Sequence, residues 1–122
     1  MAGARILVAE DDEEIGAYLK KCLERAGFSV VAVVTTAEQA VAAAKSSTPD
    51  LVLMEITLPG NMDGVDAAGQ IRLQLNIPVV YLASSVDEKT QERAKVTKPL
   101  GFLRKPFDRR ELQRTLDSAL CA

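Results

Sequence analysis

The sequence predicts an α/β domain built around a parallel five-stranded sheet. Five short apolar runs recur along the 122 residues, and segments with helical apolar spacing separate them. Turn-forming or acidic residues end each run. Strands that alternate with helices form a parallel sheet with right-handed crossovers and helices on both faces. We expect a single domain over residues 1–122, because a chain of this length builds one core.

The first unit begins with the continuously apolar residues 6–9, which suit a strand that is buried on both faces. Acidic residues 10–12 follow at once. Apolar residues then recur at helical spacing from Glu13, and Gly27 is placed to end that helix. For residues 12–14 we expect a helix-starting role that the helix dipole favours.

The second unit consists of the apolar residues 30–34 and a helix that begins at residues 35–39. A threonine oxygen there can cap the helix while an acid or amide three residues later reaches back. The helix continues through residues 40–44 and closes by residues 46–49.

The third strand, residues 51–54, ends in Glu55, and a break at residues 59–61 precedes the next helix. That helix carries an apolar set formed by Val65, Ala68, Ile71, Leu73 and Leu75.

The fourth strand, residues 78–83, precedes a polar segment at residues 87–98 that offers only Ala94 and Val96 to a core. We therefore expect a short, weakly held fourth helix. A fifth strand at residues 101–103 leads to Lys105 and to a last helix, which Asp108 can cap. The apolar stripe of that helix is Leu112, Leu116, Ala119 and Leu120.

Five such units favour a flavodoxin-like doubly wound sheet with strand order 2-1-3-4-5.

Composition excludes several function classes. The 15 basic and 17 acidic residues give a net charge of −2 without a block of either sign, so neither nucleic acid nor a membrane is an expected partner. The chain has no histidine, which excludes catalysis by histidine and metal sites with histidine ligands. Cys22 and Cys121 match no metal or redox spacing, so we expect reduced packing thiols. No leader or apolar run of membrane-spanning length is seen, and we expect a cytoplasmic protein.

Charged residues converge at the carboxyl ends of the predicted strands, where ligands bind in this fold class. Glu10 and Asp11 follow the first strand, Glu55 the third and Lys105 the fifth. Three neighbouring carboxylates require a cation, a lysine or a shifted protonation state. Lys105 and a Mg²⁺ ion would satisfy that requirement. Charge is also common at strand ends without any function.

These residues resemble the bacterial receiver domain of two-component signalling, over residues 5–120. The family has an acidic pair after strand one, matched by Glu10 and Asp11. Its acceptor aspartate and Leu-Pro-Gly loop are matched by residues 55–60, and its Lys-Pro by residues 105–106. An Asp-Gly pair at residues 63–64 resembles the opening of the family's third helix.

The resemblance implies a Mg²⁺ ion held by Glu10, Asp11, Glu55 and the backbone carbonyl of Thr57, with Lys105 contacting the acyl phosphate. No organic cofactor is implied. A hydroxyl residue ending strand four and an aromatic residue on strand five form the family's switch. Phe102 occupies the aromatic position, although a strand aromatic is more often core.

Two residues depart from the family pattern. Glu55 stands at the phosphoacceptor position, and Ala83 stands where a threonine or serine is expected. Glutamate moves the carboxylate outward by roughly 1.3–1.5 Å, and about 1 Å of misplacement can cost on the order of a hundredfold in rate. Ala83 lacks the hydroxyl that would contact a phosphoryl group. We therefore expect a pseudo-receiver that is a binding module and not an enzyme.

Alternatives remain open at this point. Glu55 could pair with Lys105 and partly imitate the phosphorylated state, or it could pair with Lys105 without favouring either signalling state. Glu55 could also be an engineered phosphomimetic change, although Ala83 favours natural divergence. The domain could still be a Mg²⁺-dependent phosphoacceptor switch. A small Mg²⁺-dependent phosphatase would need an aspartate nucleophile, and a nucleotide or flavin domain would need a phosphate loop where residues 10–12 are acidic.

The resemblance also implies partners. These are a sensor histidine kinase and an output domain or protein, which would bind the face formed by helix four, strand five and helix five; homodimer formation stays open. That face would carry the mildly basic set Lys95, Lys98, Leu100, Arg104, Arg109, Arg110 and Arg114.

Overall fold

The computed structural model describes residues 3–121 and forms the five predicted strands and five helices. The elements are β1 (Arg5–Ala9), α1 (Glu13–Arg25), β2 (Ser29–Val34), α2 (Ala37–Ser47), β3 (Leu51–Glu55), α3 (Gly64–Leu75), β4 (Val79–Ala83), α4 (Glu88–Val96), β5 (Gly101–Arg104) and α5 (Arg109–Leu120).

All strand pairs are parallel, and the sheet has the order β2-β1-β3-β4-β5. This confirms the flavodoxin-like doubly wound architecture. Because chain connections return every strand in the same direction, all five carboxyl ends lie at one edge of the sheet.

Two apolar cores lie on opposite faces of the sheet. One core packs α2, α3 and Ala94 of α4 against β-strand side chains such as Leu7, Val52 and Met54. The other packs α1 and α5 against Ile6, Val8 and Leu53. Every residue of β3 is buried, since this central strand is covered on both faces.

Several predicted helix ends are confirmed. The Thr36 hydroxyl accepts a hydrogen bond from the Gln39 N–H, while Gln39 Oε1 reaches back to the N–H of Thr35, one residue earlier than predicted. Asp12 and Asp108 cap α1 and α5. Gly27 follows α1 with a φ of 94°, a left-handed conformation that glycine adopts without strain.

Three apolar residues and one cysteine are more exposed than predicted. Leu73 is 90% exposed and Val96 79% exposed, because each points away from the sheet at an outer surface of its helix. Phe102 is 48% exposed because it lies on β5, the edge strand. Cys121 is exposed at the end of α5, whereas Cys22 is buried as predicted.

None of the helices within residues 3–121 is both long enough and apolar enough to span a bilayer. The fourth helix has nine residues and buries only Ala94 of its own side chains, as its polar sequence predicts. It is tied instead by polar contacts to α3 and β4. Arg93 contacts Asp63 and Asp66, each at 2.9 Å, and the Tyr81 hydroxyl lies 2.6 Å from that of Thr97.

Candidate functional site

The carboxyl edge of the sheet brings together three of the predicted site residues. Glu10 directly follows β1, Glu55 is the last residue of β3, and Lys105 directly follows β5. These three strands are fixed in relation to one another by the sheet, and the N–H of Lys105 donates to the Ala83 carbonyl at 2.8 Å. The Lys105–Pro106 peptide bond is cis.

The three side chains form one ion cluster. The Lys105 ammonium lies 2.5 Å from Glu10 Oε1 and 2.8 Å from Glu55 Oε2. The contact with Glu10 has hydrogen-bond geometry, whereas the contact with Glu55 is a charge contact whose angle lies outside that geometry. Both carboxylates are almost fully buried and the lysine side chain is 17% exposed.

Three of the four carboxylate oxygens in this cluster accept a hydrogen bond, and the fourth, Glu55 Oε2, is buried with only its charge contact to Lys105. Glu10 Oε2 accepts a hydrogen bond from the N–H of Asp12 at 3.2 Å. Glu55 Oε1 accepts one from the hydroxyl of Thr57 at 2.9 Å. The remaining two oxygens contact Lys105. Two buried carboxylates are thereby compensated by one ammonium and two neutral donors.

Burial and charge shift the protonation of the cluster. Burial raises the pKa of the Glu10 carboxyl, and the nearby Glu55 adds to this, while Lys105 and the Asp12 N–H act in the opposite direction without cancelling it. Burial by itself would lower the pKa of the Lys105 ammonium, but its contacts with Glu10 and Glu55 outweigh burial and raise that pKa. Lys105 is therefore a cation at neutral pH.

In this arrangement the cluster is organised around Lys105 and not around a Mg²⁺ ion. Mg²⁺ takes several oxygen ligands in an octahedral shell, but the oxygens of Glu10 and Glu55 face Lys105, Asp12 and Thr57. Within residues 3–121, no three acidic or cysteine side chains lie close enough together to share one ion. A metal ion held by both Glu10 and Glu55 would compete with Lys105 for Glu10 Oε1 and Glu55 Oε2.

The other two predicted ligand positions lie at the surface beside the cluster. Asp11 is exposed, and Thr57 is exposed although its hydroxyl turns back to Glu55. The sequence prediction assigned Thr57 through its carbonyl and missed this hydroxyl contact. A threonine two positions after an acid was the signal available, since its hydroxyl can donate a hydrogen bond to a carboxylate within reach.

Gly64 positions the backbone beneath Glu55. A Cβ atom at residue 64 would lie 2.0 Å from the Glu55 carbonyl oxygen, so only glycine allows α3 to begin there. The N–H of Gly64 donates to the Ile56 carbonyl at 2.9 Å. Asp63 caps the helix in a reciprocal capping box with Asp66. The Asp-Gly pair seen in the sequence thus fixes where α3 begins against the end of β3.

Ala83 and Phe102 line one groove between α4 and β5. Its volume is about 210 Å³, and Val86, Gln91 and Lys95 also contribute to its wall. The Phe102 ring packs 5.5 Å from the buried Tyr81 ring, centroid to centroid, at 36°. The basic residues predicted for the face of α4, β5 and α5 are all exposed.

The chain was compared with protein families and known proteins. Residues 6–117 match the model of the response regulator receiver domain. The transcriptional regulatory protein PdtaR of Mycobacterium tuberculosis is 32% identical over 116 residues, covering 95% of this chain and 56% of PdtaR. The uncharacterized transcriptional regulatory protein YbdJ of Bacillus subtilis is 38% identical over 117 residues, covering 92% of this chain and 48% of YbdJ. The chain thus spans about half the length of these relatives.

Solved structures show the same fold. The signal receiver domain of a modulated diguanylate cyclase from Desulfovibrio desulfuricans superposes with a TM-score of 0.93 at 34% identity, covering 98% of this chain and 94% of that one. The receiver domain of the sensor histidine kinase PA1611 from Pseudomonas aeruginosa, which has a magnesium ion in its active-site cleft, gives 0.88 at 31% identity, covering 99% and 100%. The protein belongs to the response regulator receiver domain family of two-component signalling.

Proposed function

We propose that this receiver is a pseudo-receiver, a protein-interaction module that aspartyl phosphorylation does not switch. In this proposal Glu55 stands at the phosphoacceptor position. The observation that carries the proposal is the closed cluster at the strand ends: three oxygens of Glu10 and Glu55 accept hydrogen bonds from Lys105, Asp12 and Thr57, and the fourth, Glu55 Oε2, lies 2.8 Å from the Lys105 ammonium. A Mg²⁺ ion bound by both glutamates, or a phosphoryl donor approaching Glu55, would compete with these donors for the same oxygens.

The contact between Lys105 and Glu55 supports a fixed state of the signalling surface. In receivers the lysine contacts the phosphoryl group, and here the ammonium lies 2.8 Å from the Glu55 carboxylate. The single negative charge of the Glu55 carboxylate replaces only part of the charge of a phosphate group, which is about −1.5 to −2. Ala83 offers no hydroxyl to a phosphoryl group, so the coupling of that group to Phe102 is lost.

Family membership supports a role in recognising kinases or output domains. We propose that the exposed face of α4, β5 and α5 binds such a partner, with Phe102 as an apolar contact among basic residues. The binding affinity would not depend on phosphorylation.

The proposal is tested by titrating Mg²⁺, alone and with beryllofluoride, into the unmodified protein, Glu55→Asp, and Glu55→Asp with Ala83→Thr. We expect saturable Mg²⁺-dependent beryllofluoride binding only in the variants with aspartate. Aspartate withdraws the carboxylate from Lys105 and frees room for the ion and the analogue. Isothermal titration calorimetry measures both ligands.

Glu24→Asp, an exposed change on α1, is the matched control and is expected to behave like the unmodified protein. Beryllofluoride binding by the unmodified protein, or a covalent adduct at Glu55 after acetyl phosphate treatment, would show that the domain is still a phosphoacceptor switch.

A further inference from the structure

The two most exposed large apolar side chains of the described residues line the same groove. Leu73 on α3 and Val96 at the end of α4 are 90% and 79% exposed, and both border a groove of about 350 Å³ between these helices. The groove is lined by Gly69, Arg72, Leu73, Val96, Thr97 and Lys98. It lies on the opposite side of α4 from the groove of Ala83 and Phe102.

The α3 side of the groove is formed by one face of that helix. Gly69, Arg72 and Leu73 have the spacing of one helix face, so α3 presents a continuous stripe. Gly69 contributes no side chain to the groove, and a Cβ atom there would meet the Thr97 methyl group at 3.8 Å, an ordinary contact distance. Lys98, with a φ of 53°, turns the chain at the end of α4.

The charge of the groove indicates the chemistry of its partner. Both charged lining residues, Arg72 and Lys98, are cationic, and the lining contains no acid. Neither cation forms an ion pair among residues 3–121, although the protein as a whole has a net charge of −2. An apolar groove with basic borders complements an apolar stripe flanked by carboxylates.

We propose that the α3–α4 groove binds an acidic amphipathic helix of a partner protein. Leu73 and Val96 would contact the apolar stripe of that helix, and Arg72 and Lys98 its flanking carboxylates. An anionic membrane is a poorer match, because stable recognition of lipid headgroups uses clusters of about 4–8 basic residues. The proposal is independent of the phosphoryl site, and the groove shares only Lys98 with the basic set predicted for the face of α4, β5 and α5.

The test uses a fluorescently labelled helical peptide with a leucine stripe flanked by glutamates. A second peptide with lysines in place of the glutamates controls for charge. We expect the acidic peptide to bind saturably, with amide chemical-shift changes centred on the six lining residues. Leu73→Ser and Val96→Ser should each weaken binding about tenfold or more, because each removes an apolar side chain that the peptide would bury, and Arg72→Gln with Lys98→Gln should make binding insensitive to salt. Tyr18→Ser, at an exposed position on α1, should leave the affinity unchanged.

Several results would overturn the proposal. These are no saturable binding, equal binding of the lysine peptide, or full affinity in both serine variants with circular dichroism unchanged. Co-sedimentation with phosphatidylglycerol vesicles that depends on Leu73 would identify a membrane site instead. Self-association in analytical ultracentrifugation that Leu73→Ser abolishes would identify a second copy of this chain as the occupant.

Discussion

Lys105 supplies the positive charge that faces the two buried carboxylates at the strand ends. It is the one cation in contact with both Glu10 and Glu55 in the part of the chain that the structure describes. Without it, two buried carboxylates would retain only the Asp12 N–H and the Thr57 hydroxyl as donors. The loss of folding free energy in such an arrangement depends on pH, because a buried carboxylate becomes neutral when it takes up a proton.

Lys105→Met is therefore expected to destabilise the protein by about 3–5 kcal/mol near neutral pH. The loss should be smaller at about pH 5. The folded Glu10 carboxyl has a raised pKa, so its proton uptake favours the folded state at low pH, and this contribution is lost as the pH rises through the folded pKa. Removing Lys105 raises that pKa further. Urea unfolding at both pH values measures the difference.

Lys89→Met provides the control, since Lys89 is exposed on α4 and its loss should change stability by less than about 0.5 kcal/mol. Equal destabilisation of Lys105→Met at both pH values would contradict the charge explanation and indicate a packing role for the lysine stem.

The junction of β3 and α3 is the element that sets the position of Glu55. The capping box of Asp63 and Asp66 fixes the start of α3, and Arg93 of α4 contacts both acids. At the same place, Gly64 allows the helix to approach the Glu55 carbonyl. The backbone of Glu55 thus packs against the start of α3, where residue 64 can carry no side chain without displacing it.

Gly64→Ala should destabilise the protein by about 1–3 kcal/mol or more, because the added methyl group overlaps the backbone of Glu55 and the backbone must move. The same change should loosen the contact between Glu55 and Lys105. Thermal unfolding measures the stability, and the nitrogen resonance of the Lys105 ammonium reports the contact.

Gly69→Ala, in the middle of the same helix, is the matched comparison. Its added methyl group would meet Thr97 at an ordinary contact distance, so helix propensity should stabilise the protein by up to about 1 kcal/mol. Equal effects of the two changes would show that the approach at Gly64 is not tight.

At the scale of the whole molecule, β3 joins the two cores. Leu53 packs with α1 and α5 on one face of the sheet, and Met54 packs with α2 and α3 on the other. Both side chains are fully buried. Because a single strand contributes to both cores, loss of either core exposes one face of β3 and weakens the sheet on which the other core packs, and we expect one cooperative unfolding transition.

Leu53→Ala and Met54→Ala should each cost about 2–5 kcal/mol, from lost burial and the cavity left behind. Each variant should still unfold in one transition by far-ultraviolet circular dichroism and tyrosine fluorescence. Leu73→Ala, at an exposed position on α3, should change stability by less than about 0.5 kcal/mol. Separate transitions in either core variant would contradict the single cooperative unit.

The order of the elements and the location of the site could be predicted from the sequence. Apolar runs such as residues 6–9 and 51–54 identified buried strands, because period and length are local properties of the chain. Parallel strands carry their carboxyl ends to one edge, so Glu10, Glu55 and Lys105 were expected together, and they lie together. Helix caps at Asp12, Thr36 and Asp108 followed from local hydrogen-bonding chemistry.

Only the tertiary structure decided which donors face which oxygens and which apolar residues remain exposed. The hydroxyl of Thr57 turns to Glu55, and Lys105 lies between two carboxylates that are 95 and 50 positions away in the chain. Leu73, Val96 and Phe102 are apolar by sequence but exposed, since burial depends on what packs against a surface. Sequence periodicity determines the direction in which a side chain points along its own element. The elements brought against that side chain from elsewhere in the chain determine whether it is buried, paired with a charge or left open to a partner.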